Sequence, residues 1–256
     1  MIKTTINKLI GQFLESKFIE FILNFFIRVN YVDFKGSKIF VKNLDHKNFI
    51  RILFSYYESA EIKLIKKYFN PNIPTIDLGS GIGVTMCTFA QSSKNKIICV
   101  EASKFCVQQL KINIKRNNYK NFKVLNKFFF SHKNINNKNY MFDEKNDFIF
   151  NKLLKTKNSK KNSKKNINKN KKITLKNILQ KFNLKNVQIL CDIEGEEMNF
   201  TREDFNDFKK CENLIIEIHS RNRLKINRLI YNFKKISCLK LQEIKHSVYY
   251  FERIKQ

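Results

Sequence analysis

Apolar and polar positions follow two rhythms along this chain. Short apolar runs recur at Ile73–Leu78, Lys96–Val100, Phe122–Phe130, Val187–Ile193 and Asn213–Ile218, the pattern of strands buried on both faces. Between them apolar residues fall three and four apart, as helices require: Val84 to Ala90, Ser103 to about Asn117, Ile173–Phe182 behind a capping Thr174, Thr201–Lys210, and about Leu224 to Lys235. Two last runs, Cys238–Ile244 and Ser247–Arg253, predict a closing antiparallel hairpin. Alternating strands and helices of this kind predict an α/β, Rossmann-like open sheet, mostly parallel, with helices on both faces.

The flanks read differently. Met1 to about Val32 is helical by the spacing of Ile2, Ile6, Leu9, Ile10, Phe13 and Leu14. Glu20 and Asn24 interrupt its most apolar part, which is too short for a membrane span. Residues 1–55 are expected as an extension packed on the domain or on a second copy. The alternative is a peripheral membrane contact, with Lys3, Lys8 and Lys17 at headgroup level. Tyr31–Lys42 reads as two short strands around Lys35-Gly36-Ser37, and Phe49–Phe69 as one helix ending before Pro71. On that helix Glu58 and Glu61 are expected to be solvated. Residues 56–256 form the expected main domain. Inside it, Tyr140–Phe150 suggests a hairpin around Glu144-Lys145-Asn146. Asn151–Lys172, almost wholly Lys, Asn and Ser, has too little apolar surface to fold and is expected to be a disordered insertion.

At 256 residues the chain is long enough for one sizeable core. Its formal charge of +28 raises nucleic acid as a partner. The excess is mostly Lys, however, and accompanies abundant Asn, Ile and Phe, as a genome rich in A and T would produce. Arg, the commoner tool for gripping phosphate in fixed geometry, clusters only at Arg221, Arg223 and Arg228, so nucleic acid is not the expected partner. The six cysteines form no C-x-x-C pair, which fits a reduced, cytoplasmic protein without disulfides or structural zinc.

The stretch with a chemical reason behind it is TIDLGSGIGVTMCTFA, Thr75 to Ala90. An apolar strand carries Asp77 and runs into Gly79-Ser80-Gly81-Ile82-Gly83, then a helix. Glycine permits backbone angles closed to other residues and lets a ligand approach the main chain. The helix start that follows offers free N–H groups. The second apolar run ends in Glu101-Ala102, about 20 residues on, where nucleotide folds place an acid against the ribose hydroxyls. A carboxylate can accept two hydrogen bonds from a cis-diol. Ser131 follows the third run and belongs to the same strand-end edge, which in such sheets faces the ligand. Phe129 and Phe130 are candidates for adenine contact or for core.

Two further strand ends are polar where the strands are not. VQILCDI leads into Asp192-Ile193-Glu194-Gly195-Glu196-Glu197, and LIIEIHS carries Glu217 and His219. Residues two apart on a strand share a face, so Asp192 should point with Glu194, and Glu217 with His219. Three carboxylates and an imidazole are costly to bury without protons, hydrogen bonds or a metal.

The order D-x-G-x-G-x-G resembles motif I of class I S-adenosylmethionine-dependent methyltransferases. CDIEGEE followed by LIIEIHS, with Tyr57-Glu58 ahead and VYYFER at the end, resembles the FkbM methyltransferase family over about Tyr56–Arg253. The Asn151–Lys172 insertion and Lys176-Asn177 depart from that family. The resemblance implies S-adenosyl-L-methionine as cofactor and O-methylation of a hydroxyl on a sugar, glycolipid or other small metabolite. It also adds Glu58 to the cofactor candidates Asp77, Gly79, Ser80, Gly81, Gly83, Glu101, Ala102, Ser131 and Asp192. Chemically, the acceptor oxygen must be aligned behind the methyl and lose its proton. Asp192 and His219 are the base candidates, with Glu194 and Glu217 orienting them or the acceptor. A divalent metal on Asp192, Glu194 and His219 is the less favoured way to acidify the hydroxyl. RNA methylation is the alternative supported by charge; a binding module or a nicotinamide-dependent oxidoreductase would share the sheet.

Overall fold

The computed structural model describes residues 29–42, 44–136, 140–142, 154–155, 165–166 and 171–254. Contacts divide the chain into two units, Met1–Ser59 and Ala60–Gln256. In the first unit, β1 (Tyr31–Phe34) and β2 (Ser37–Phe40) form the expected antiparallel pair. Lys35 and Gly36 turn it with positive φ, and the Asp33 carboxylate accepts from the Gly36 N–H at 3.0 Å. Asp45 caps α1 (His46–Leu53) by accepting from Asn48 N–H. The single helix expected over Phe49–Phe69 does not form. The chain stops at Leu53 and starts again in α2 (Ser59–Tyr68), because Ser55 (φ 59°) and Glu58 (φ 42°) adopt left-handed backbone that a helix interior cannot hold. The helix expected at the amino terminus lies, but for its last residues, outside the described residues.

The second unit is built on one seven-stranded sheet. The chain runs through β3 (Thr75–Leu78), α3 (Val84–Ala90), β4 (Ile97–Glu101), α4 (Lys104–Arg116) and β5 (Phe122–Asn126). After a smaller excursion it continues through α5 (Leu175–Lys181), β11 (Val187–Cys191), α6 (Arg202–Asp207), β12 (Cys211–Glu217), α7 (Arg223–Ser237), β13 (Leu239–Lys245) and β14 (Val248–Arg253). The strand order is β13-β14-β12-β11-β3-β4-β5. All pairings are parallel except those of β14, which runs against both its neighbours. This is the Rossmann-like, mostly parallel sheet with a final antiparallel hairpin that the alternation of apolar runs predicts.

Strand alternation sends side chains to both faces. Ile76, Leu78, Ile98, Val100, Val187 and Ile189 pack with residues of α5, α6 and α7. There Phe233 meets Phe205 and Phe208 edge-on at 5.1 and 5.2 Å between ring centres. On the other face Ile97, Cys99, Leu190, Ile215 and Tyr250 pack with Leu64 and Ile65 of α2, Met86 and Phe89 of α3 and Leu110 of α4. The sheet interior is therefore closed on both sides, and the carboxyl edge of the strands is left for function.

The excursion after β5 departs from expectation. The Phe122–Phe130 run breaks at Lys127, whose N–H donates to the Glu101 carbonyl at 3.0 Å. The remainder, β6 (Phe128–Phe129), pairs in parallel with the distant β10 (Lys172–Ile173). Phe129 and Phe130 are both core residues. The turn expected at Glu144–Asn146 lies outside the described residues, as does most of Asn151–Lys172. Of these stretches, β7 (Tyr140–Phe142) pairs antiparallel with β8 (Leu154–Lys155) and β9 (Lys165–Asn166). Among the described residues no helix is long and apolar enough to cross a membrane.

Candidate active site

The switch point of the sheet is β3, with β4 on one side and β11 on the other. In such sheets ligands bind beyond the carboxyl ends of the strands where the order reverses. The glycine turn follows β3, Glu101 ends β4, Asp192 follows β11 and His219 follows β12. The topology thus brings four separate sequence signals to one edge.

The three glycines of the turn all have positive φ, of 85° at Gly79, 52° at Gly81 and 80° at Gly83, yet they differ in purpose. A Cβ on Gly79 would stand 1.7 Å from the Asp192 carbonyl oxygen, and one on Gly83 would stand 2.1 Å from Leu110 Cδ1. Those two are required by the protein's own packing. Among the described residues, a Cβ on Gly81 would meet nothing within 4 Å. Gly81 is where something outside the chain can come up to the backbone. Beside it the Glu101 carboxylate accepts from Gly81 N–H at 2.8 Å through one oxygen and from Ser103 N–H at 2.6 Å through the other. These bonds fix its rotamer and leave lone pairs free on both oxygens. Burial raises the Glu101 pKa, and the backbone donors partly oppose it. The open space at Gly81 and the fixed carboxylate fit the nucleoside end of S-adenosylmethionine.

Asp77 is buried in β3, with burial as the main cause pushing its pKa up to about 7. The Cys99 thiol lies 3.9 Å from its Oδ2. Ser80 donates its hydroxyl to the Asp77 carbonyl at 3.0 Å and its N–H to Val100. Ala102 packs beside Phe128 and Phe130. Ser131 is fully buried, and its N–H and hydroxyl both donate to Glu196 Oε1, at 3.0 and 2.7 Å. Its polar groups thus serve a latch between chain segments 65 residues apart. Glu58 belongs to the first unit.

Asp192, Glu194, Glu217 and His219 come together, though not by strand alternation. β11 ends at Cys191 and β12 at Glu217, and Glu194 has φ 50°. Loop conformation, not a shared strand face, turns Asp192 and Glu194 to the same imidazole. His219 Nε2 lies 3.6 Å from Asp192 Oδ1, 3.8 Å from Glu194 Oε2 and 3.9 Å from Glu217 Oε2. On the other side of the ring, Nδ1 is 3.6 Å from Glu197 Oε1, which also accepts from the His219 N–H at 2.7 Å. Ser247 donates its hydroxyl to Glu217 at 2.6 Å. The Glu197 carboxylate facing Nδ1 is the main influence holding the imidazole above its ordinary pKa. Burial and then the Glu217 charge hold Asp192 above the usual carboxylate range.

The sequence reading left three acids unassigned that the structure places here or beside it. Glu196 and Glu197 follow Gly195, whose φ of 96° starts a tight 3₁₀ turn (Glu196–Asn199) that buries both side chains. The glycine just ahead of the Glu-Glu pair was the available signal. Glu61, expected in solvent, is buried on α2, its pKa raised by burial first, with a contribution from the Glu217 charge. Its spacing from Leu64 and Ile65, three and four residues on, puts it on the buried face of the helix and was the available signal.

A sheet ordered in this way, with a glycine turn at its switch point, has the architecture of class I methyltransferases. No protein-family model matches the chain, and no curated protein matches its sequence. Solved structures similar to it include the METTL16 methyltransferase domain, 12% identical over 84% of this chain and 72% of that one, with a TM-score of 0.46. An rRNA methylase from Streptococcus thermophilus is 8% identical over 77% and 95% of the two chains, with a TM-score of 0.45. TYW2 of M. jannaschii in complex with AdoMet is 16% identical over 90% and 89%, with a TM-score of 0.41. These are distant likenesses.

Proposed function

We propose that the chain is an S-adenosylmethionine-dependent methyltransferase that methylates a hydroxyl group of a sugar, glycolipid or other small metabolite. The observation that carries the reading is the conjunction at one sheet edge of Gly81, open to a ligand, the fixed Glu101 carboxylate, and the Asp192–His219 cluster. Glu101 would accept the ribose hydroxyls with the lone pairs that Gly81 and Ser103 leave free. The cofactor supplies a methyl group on a sulfonium, so the leaving group already carries the charge. The protein has only to align the acceptor and take its proton. As the C–O bond forms and the C–S bond breaks, that proton passes to Asp192 or His219. Asp192, whose buried Oδ1 faces the His219 ring and has no hydrogen-bond partner among the described residues, is the first candidate. Glu194 and Glu217 orient the base or a hydroxyl of the acceptor.

The same cluster supports a neutral acceptor over RNA. Four carboxylates, from Asp192, Glu194, Glu197 and Glu217, surround one imidazole, and a phosphate brought among them would be repelled. The test is transfer of labelled methyl from S-adenosylmethionine to a panel of sugars, glycolipids and total RNA. The expected result is transfer to a hydroxyl-bearing small molecule, reduced at least 100-fold in Asp192→Asn. Transfer to RNA alone would establish the competing function, and wild-type turnover by both Asp192→Asn and His219→Ala would remove their role.

A further inference from the structure

The cluster around His219 has a donor set and an arrangement suited to a metal ion. Asp192, Glu194 and His219 each offer one ligand atom, and the three atoms lie within 4.8 Å of one another. The two separations from Nε2 are 3.6 and 3.8 Å. Donors about 2.0–2.4 Å from a common ion lie roughly 3–4.5 Å apart, depending on the angle between them. These donors therefore need only small side-chain rotations to meet one ion.

Two independent features point the same way. Among the described residues Asp192 Oδ1 is a buried oxygen without a hydrogen-bond partner. Oδ1 is the Asp192 atom that faces Nε2. An unmatched buried carboxylate oxygen is costly unless something cationic completes it. Among the described residues no lysine or arginine pairs with Asp192, Glu197 or Glu217, although the chain carries 50 such residues. In addition, Glu197 lies on the Nδ1 side of His219 and accepts its backbone N–H. A carboxylate on one ring nitrogen is what orients an imidazole to give the other nitrogen to a metal.

We propose that Asp192, Glu194 and His219 bind a divalent cation of the Mg²⁺ or Mn²⁺ class, with Glu197 as the residue that positions His219. Two carboxylates and one imidazole suit such ions, and the lack of thiolates argues against a soft metal. Binding rests on the donor geometry alone. Its catalytic consequence rests on the methyl-transfer reading: an acceptor hydroxyl bound to the ion loses its proton more readily. Asp192 and His219 would then hold the ion, and Glu217 would take the proton.

The experiment uses the full chain, stripped with chelator and titrated with Mn²⁺ under electron paramagnetic resonance, with S-adenosylhomocysteine titrated separately by calorimetry. One Mn²⁺ per chain is expected. Affinity should fall at least tenfold in Glu194→Gln and in His219→Gln, and about tenfold or more in Glu197→Gln, which touches no ion. Unchanged melting temperatures and nucleoside binding would show that these variants are folded; should one not fold, the others carry the test. Absence of bound Mn²⁺, or wild-type affinity in the folded variants, overturns the site. Mn²⁺ bound without S-adenosylhomocysteine would keep the metal and remove the methyl donor, and the reverse would do the opposite.

Discussion

Replacing Gly79 and Gly81 by alanine, one at a time, separates what the glycine turn does for the fold from what it does for a ligand. Both have positive φ, so alanine costs about 1–2 kcal/mol of backbone strain at either site. Gly79→Ala adds a clash, because its Cβ would sit 1.7 Å from the Asp192 carbonyl oxygen. Either partner must retreat by more than an ångström, and the Asp192 N–H bond to the Leu78 carbonyl, 2.9 Å long, joins the same two segments. Its loss adds about 1 kcal/mol, for a total of roughly 3 kcal/mol or more. In a unit of about 200 residues, 1 kcal/mol shifts Tm by about 2–4 °C. Gly79→Ala should therefore melt some 6–12 °C below wild type, and Gly81→Ala only a few degrees below. Calorimetry then reads the second half: Gly81→Ala, though folded, should bind S-adenosylhomocysteine at least tenfold more weakly, since its methyl fills the space proposed for the cofactor. If Gly81→Ala binds the nucleoside as wild type does, that space is not the cofactor's. If Gly79→Ala melts with wild type, the packing described between β3 and the segment after β11 is wrong.

Other outcomes follow from individual side chains. Asp77, with a pKa of about 7 in the fold against 3.8 for the ordinary group, binds its proton more tightly folded than unfolded. Its contribution is therefore greatest below pH 3.8 and is lost as the pH rises through 7, by up to about 4 kcal/mol. Urea unfolding should show Asp77→Asn gaining stability relative to wild type between pH 4 and pH 9; a constant difference would contradict a neutral buried Asp77. Glu196 accepts from Ser131, Asn134 and Asn199 while buried. Glu196→Ala should cost about 3 kcal/mol or more, because several donors lose their partner, and a loss below 1 kcal/mol by the same method would show the latch to be dispensable.

What the sequence made legible was local or periodic. The sheet follows from apolar runs, and Ser103 and Thr174 cap their helices as read, accepting from Cys106 and Asn177 N–H. Gly79 to Gly83 and Glu101 stand out in the sequence because a turn and a strand end carry their own chemistry. The features that escaped depend on distant partners or single backbone angles. Positive φ at Ser55 and Glu58 split a helix whose apolar spacing runs on unbroken. β6 left its run to pair with Lys172–Ile173, more than 40 residues on. Asp192 and Glu194 meet through a loop, so a strand-face rule brought these two side chains together for an inapplicable reason. Glu61 is buried because it shares a face of α2 with Leu64 and Ile65, a spacing its charge obscured, and Glu197 because Gly195 turns the chain inward.

The central claim is tested most directly by a crystal structure of the chain grown with S-adenosylhomocysteine. The nucleoside should lie beside Gly81 at the carboxyl edge of β3 and β4, with the ribose hydroxyls within hydrogen-bond distance of Glu101 and the sulfur facing Asp192 and His219. A nucleoside found elsewhere, or an edge that stays empty at saturating ligand, would contradict it.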